Sequence, residues 1–136
     1  MILGLDISTS ITGATVLDEN GTCVYNEFWD TRNKNKFPTH FDKARFLRQK
    51  LQEIKTKFKI KTTYIEKPFM FFNSGGSTAK TMSSLQNYNG MISWICSDAF
   101  KKDPDYLTAS EARKAVGIKV PRGENSKQKS FDFVVA

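Results

Sequence analysis

The chain has 136 residues, 39% of them hydrophobic, and a net charge of +7, which suits one domain with its own core and excludes a wholly disordered chain. No apolar run approaches the ~20 residues that a membrane helix needs, and the start, MILGLD, has no basic segment before its apolar run, so no secretory signal is expected. The single histidine, His40, and two widely separated cysteines, Cys23 and Cys96, argue against a zinc site or a serine–histidine triad and fit reduced thiols in a cytoplasmic protein.

In chain order, ILGLD (2–6) is a short apolar run that predicts a buried strand. The polar turn STS follows it. TGATVLD (12–18) and TCVYNEFWD (22–30) predict two more strands, joined by a hairpin turn at Glu19-Asn20-Gly21. Residues 31–38 are polar and end in Pro38, as a loop does. Phe41, Ala44, Leu47, Leu51, Ile54 and Phe58 recur at spacings of three and four, the stripe of a helix. TTYIE (62–66) predicts a fourth strand, ended by Pro68. Ser77 or Thr78 can cap a long helix reaching about Phe100, with Met82, Leu85, Ile92, Ile95 and Ala99 inward. Gly90 inside it implies close backbone packing. YLT (106–108) is a short fifth strand. Thr108-Ala109-Ser110-Glu111 forms a capping box for a helix that stops at Gly117, and Ser126 starts a last helix.

Three meander strands followed by alternating helices and strands predict an α/β fold, a mixed five-stranded sheet flanked by helices, in one domain spanning 1–136. In that order the first and fourth strands are parallel neighbours. Asp6 and Glu66 each end one of them, at the sheet edge where open α/β folds place ligands. Two adjacent carboxylates repel unless a cation lies between them, and hard oxygen donors suit Mg²⁺ or Mn²⁺. Either acid alone is also what a polar residue ending a strand looks like. Together, on a basic chain, they predict a metal site for phosphodiester chemistry, in which two ions ~3.5–4 Å apart can activate a water and stabilise the leaving oxygen.

The charge is concentrated. Eleven Lys/Arg lie between Arg32 and Lys61 against only Asp42 and Glu53, and a second basic stretch runs from Arg113 to Lys129 and includes Lys119 and Arg122. Such tracts favour a polyanion through counterion release from phosphates. Small residues and Gly13 in the segment Ser8–Gly13 let a backbone approach a phosphate closely. Lys67 and the aromatic cluster Phe69, Phe71 and Phe72 follow Glu66, and one of these rings can stack on an unpaired base.

ILGLDISTSITGATVLD resembles the first motif of RuvC-type Holliday junction resolvases. YIEKPFMFFNSGGSTAKTMSSLQNYNGMISWI resembles the second, and YLTASEARKAVGIKVPRGENSKQKSFDFVV the segment after it. The resemblance covers nearly the whole chain in one order. It implies an RNase H-like fold, Asp6 and Glu66 as metal-binding catalytic carboxylates, and Phe69 at the centre of a four-way DNA junction. It also implies Lys127, with Arg113 or Lys114, at phosphates near the scissile bond, and a homodimer cutting branched DNA in a bacterial or phage-infected cytoplasm. The family completes its site with an acidic motif on a further helix, which this sequence does not reach before Ala136. Asp132 is a weak substitute. The expectation is a chain that folds and binds DNA but cleaves poorly, with apolar surface exposed near Phe133 and Val134. Alternatives are a non-catalytic nucleic-acid-binding module, an actin-like or sugar-kinase ATPase fragment, and a ribosomal-RNA-processing nuclease of the same superfamily. The ATPases need a second phosphate loop that this sequence lacks.

Overall fold

Alternation of apolar and polar residues builds the sheet. A computed structural model describes residues 1–67, 79–108 and 111. The chain divides into two compact units, Met1–Tyr106 and Leu107–Ala136. The first unit opens with β1 (Ile2–Asp6), β2 (Ile11–Leu17) and β3 (Cys23–Asp30), followed by α1 (His40–Lys57), β4 (Thr62–Glu66) and α2 (Ala79–Phe100). β5 (Asp105–Leu107) comes last. The sheet order is β3-β2-β1-β4-β5. β1 is antiparallel to β2 and parallel to β4, so the sheet is mixed as expected. β1 and β4 have the bounds read in the sequence, and those of β2, β3 and β5 move by a residue.

The hairpin between β2 and β3 has a local cause. The Asp18 carboxylate accepts from the backbone N–H groups of Asn20 and Thr22, both at 2.9 Å. Gly21 takes φ +80°, a left-handed conformation that costs a glycine nothing.

Both long helices bury one face. Leu3, Leu5, Ile7, Ala14, Val16, Trp29 and Ile65 from the sheet meet Ala44, Leu47, Leu51 and Ile54 of α1 and Tyr88, Ile92, Ile95 and Cys96 of α2 in one cluster. A capping box starts α1: the Thr39 hydroxyl accepts from the Asp42 N–H, and the Asp42 carboxylate accepts from the Thr39 N–H. Burial pushes the Cys96 thiol and the Tyr88 hydroxyl each up to about 12. Cys96 is a free, buried thiol and Cys23 a free, exposed one, in line with unpaired cysteines. Among the described residues no helix is long and apolar enough to cross a membrane.

Several expectations need correction. Phe41 lies on the α1 stripe by spacing but is 62% exposed. Phe58 is the C-cap of α1 rather than part of its stripe, although its ring packs at the core's edge. Gly90 is exposed, and among the described residues a Cβ built there would meet nothing within 4 Å, so close packing against them is not its reason. Leu85 is only half-buried, whereas Met82, Ile92, Ile95 and Ala99 are buried as read.

In the second unit the box at Thr108 and Glu111 is present. The Glu111 N–H donates to the Thr108 hydroxyl at 3.0 Å, and the Glu111 carboxylate accepts from the Thr108 N–H at 3.1 Å. The helix expected to run on to Gly117, the last helix from Ser126, the cap at Ser77 or Thr78, and the surface near Phe133 and Val134 lie outside the described residues.

Because an alanine at position 90 would clash with nothing, Gly90→Ala should raise stability by ~1 kcal/mol through helix propensity alone. Urea unfolding of the two proteins measures this. A loss of stability would reveal a contact made by the glycine's backbone.

Candidate active site

The parallel register of β1 and β4 places the acids. Ile2 pairs with Thr62, Leu3 with Thr63, Gly4 with Tyr64 and Leu5 with Ile65. One step further stand Asp6 and Glu66, the last residues of their strands. Backbones of neighbouring strands lie ~4.8 Å apart. Side chains alternate between faces. Leu3 and Leu5 on β1, and Thr63 and Ile65 on β4, are buried. Asp6 and Glu66 therefore share the opposite face, Asp6 exposed and Glu66 half-buried.

The row continues across the sheet. Asp6 pairs with Gly13, and Gly13 with Phe28. A Cβ on Gly13 would lie 3.6 Å from the Phe28 ring and 3.9 Å from the Asp6 Cβ, ordinary contact distances. Larger side chains at this position would press on the acid. Phe28 itself is 73% exposed, an aromatic ring on the face that carries both carboxylates. Sequence reasoning placed it in a strand but missed this position, which follows only from the register.

The turn after Asp6 is held from several sides. The Ser8 hydroxyl accepts from the N–H groups of Ser10 (3.2 Å) and Ile11 (3.0 Å) and donates to the Ile11 carbonyl (2.7 Å). Thr31, fully buried just past β3, donates its hydroxyl to the carbonyls of Thr9 and Ser10, both at 3.0 Å. Its N–H also reaches the Ser10 carbonyl, at 2.8 Å. The Lys43 ammonium from α1 donates to the Thr9 carbonyl. Neither Thr31 nor Lys43 stood out in the sequence. Both act across long chain separations, and no local pattern marks that.

The basic tract is partly neutralised. Arg45 pairs with Asp42, Arg48 with Asp98, and Lys50 with Glu27. The Arg32 guanidinium, bonded to both Asp30 oxygens, holds that carboxyl down at about 2. The charge of this segment is therefore less available to a partner than its composition implies.

Of the other candidates, Lys67 is exposed directly after Glu66. Phe69, Arg113, Lys114, Lys119, Arg122 and Lys127 lie outside the described residues, as does Asp132. Among the described residues no group of three or more His, Cys, Asp or Glu could hold a metal ion. The donor set in view is the two carboxylates. Their hard oxygens fit Mg²⁺ or Mn²⁺, which are held by few carboxylates and keep several waters.

No protein-family model and no curated protein matches the chain. Among solved structures it is similar to RuvC of Thermus thermophilus in complex with Holliday junction substrate. The TM-score is 0.68 at 9% identity, covering 85% of this chain and 69% of that one. A second Thermus thermophilus RuvC structure gives a TM-score of 0.62 at 11% identity, with 94% and 74% covered. The fold is RNase H-like. At such identities the likeness establishes the architecture alone.

The buried Thr31 hydroxyl gives the site a measurable support. Thr31→Val keeps the shape and removes one donor shared by two carbonyls, and should cost ~1 kcal/mol, the scale of one hydrogen bond. Thermal unfolding reads it. An unchanged midpoint would mean that Lys43 and the Thr31 N–H suffice to hold the turn.

Proposed function

We propose that this chain is a divalent-metal-dependent nuclease domain acting on branched DNA, of the Holliday junction resolvase type. The observation that supports it most is the placement of Asp6 and Glu66 on one face, at the carboxyl ends of adjacent parallel strands, in the RNase H-like fold. The fold neighbour bound to a Holliday junction motivates the substrate class.

Asp6 and Glu66 would hold Mg²⁺ or Mn²⁺. When bound, the ion supplies charge neutralisation at the scissile phosphate and lowers the pKa of a coordinated water. The chain's own part is to fix the two carboxylates by strand register and to keep the Ser8–Ser10 turn still beside them. Preorganised charge of this kind needs no rearrangement as the reaction proceeds. Lys67, exposed next to Glu66, would contact DNA phosphate. Phe69, Arg113, Lys114, Lys119, Arg122 and Lys127 would add stacking and phosphate contacts. These contacts would position the strand rather than read its sequence.

A homodimer is part of the proposal. Trp94, on α2, is 61% exposed, and large aromatic side chains are enriched in the buried centres of interfaces. Trp94→Glu should shift a self-associating protein to monomer in analytical ultracentrifugation. A wild-type chain that sediments as a monomer at every concentration would refute the dimer.

The nuclease reading is tested on a synthetic four-way junction with Mg²⁺ or Mn²⁺. Asp6→Asn and Glu66→Gln should each lower cleavage by roughly 10²–10³-fold, the scale of losing one group that stabilises developing charge. Junction binding should survive both changes. Cleavage that persists in either variant would place the chemistry elsewhere.

A further inference from the structure

A cavity of about 360 Å³ opens beside the turn that follows Asp6, lined by Ser8, Thr9, Lys80, Thr81, Ser84 and Leu85. Among the described residues its lining is four hydroxyl residues, one lysine and one leucine, with no carboxylate. One wall is the Ser8–Thr9 turn and the other belongs to the first two turns of α2.

The turn wall is rigid for reasons that have nothing to do with packing inside the cavity. Thr31 and Lys43 hold the Thr9 carbonyl, and the Ser8 hydroxyl closes the turn on itself. The Thr9 side chain is thereby presented at a fixed place, and no loop has to order on binding. Fixed donors spare a ligand the entropy of arranging them. A recess whose described lining offers a cation and hydroxyl donors and no anion fits a singly charged oxyanion held by hydrogen bonds. A sugar or a neutral amide would leave the lysine without its complement.

We propose that this cavity is a phosphodiester subsite that grips the nucleic-acid strand next to the position cut at Asp6 and Glu66. Lys80 is its cationic ligand, and the Thr9 and Ser84 hydroxyls are its neutral donors. The inference rests on the nuclease reading, and it names a contact which that reading does not require. The carboxylates and the subsite share the edge of the sheet: Ser8 and Thr9 follow Asp6 by two and three residues. A strand held here is registered against the acids by the backbone of the turn itself.

The experiment is anisotropy with a fluorescein-labelled four-way junction in Ca²⁺, across a salt series, using the full chain. Lys80→Met should weaken binding several-fold and make the plot of log K against log salt shallower by about 0.9, the slope that neutralising a single phosphate contributes. Lys80→Arg should restore most of both. Lys101→Met, a change outside both basic stretches, should leave the slope nearly unchanged. Melting midpoints should move little, since Lys80 and Lys101 are both exposed. Wild-type affinity and slope in Lys80→Met would overturn the subsite while leaving the nuclease reading intact. So would an equal loss in Lys101→Met, which would make the effect one of overall charge. A wild-type chain that binds no DNA would overturn both readings.

Discussion

Two neighbouring strands can run parallel only if the chain between them crosses back along the sheet, and β1 and β4 meet that condition through β2, β3 and α1. Everything functional in this unit depends on the pairing. It fixes which residues are level with each other, and a slip of one residue would turn Glu66 onto the buried face. The core enforces the register. Leu3, Leu5 and Ile65 are buried against the helices, and a one-residue slip of β4 would turn Ile65 out to water. At about 25 cal/mol per Å² of apolar surface, such residues outweigh any electrostatic preference at the strand ends. The position of the acids is thus set by hydrophobic burial on the opposite side of the sheet.

The two faces of the sheet have different tasks. One is closed by α1 and α2 and carries the stability of the unit. The other bears Gly4, Asp6, Gly13, Phe28, Tyr64 and Glu66, a mixture of small, acidic and aromatic residues that would make a poor core. Glycine at 13 keeps the lane between Asp6 and Phe28 low. An exposed ring beside carboxylates is costly in water and is more at home where a partner covers part of the sheet.

Much of this was legible in the sequence. The strands read directly from short apolar runs, and matching positions at the ends of two of them singled out Asp6 and Glu66 before any geometry was known. What escaped was set by tertiary contacts. Helical spacing gives an angle around the axis of α1, but it cannot say whether a neighbour stands opposite Phe41, and none buries it. Gly90 invited an argument from close packing because glycine is costly in a helix, yet no described residue crowds the space around it. Thr31 and Lys43 are ordinary residues in polar surroundings. Their role appears only when β3 and α1 are brought beside a turn more than twenty residues earlier in the chain. The basic tract misled in the other direction, since counting its charges ignores the Asp30, Asp98 and Glu27 partners that the fold supplies.

Turns between strands are usually where a protein opens first, and their amides exchange with solvent quickly. The turn after Asp6 is built the other way. The Thr31 amide is bonded to Ser10 and lies in a fully buried residue, and the amides of Ser10 and Ile11 are tied to the Ser8 hydroxyl. Solvent can reach the buried Thr31 groups only if the end of β3 separates from the turn, whereas Ser10 and Ile11 stand exposed. The Thr31 amide, just past the end of β3, should therefore exchange more slowly than the amides of the exposed turn beside it. Under the proposed nuclease reading, a DNA strand arriving there would meet a turn already tied to β3 and α1, not one that must order around it.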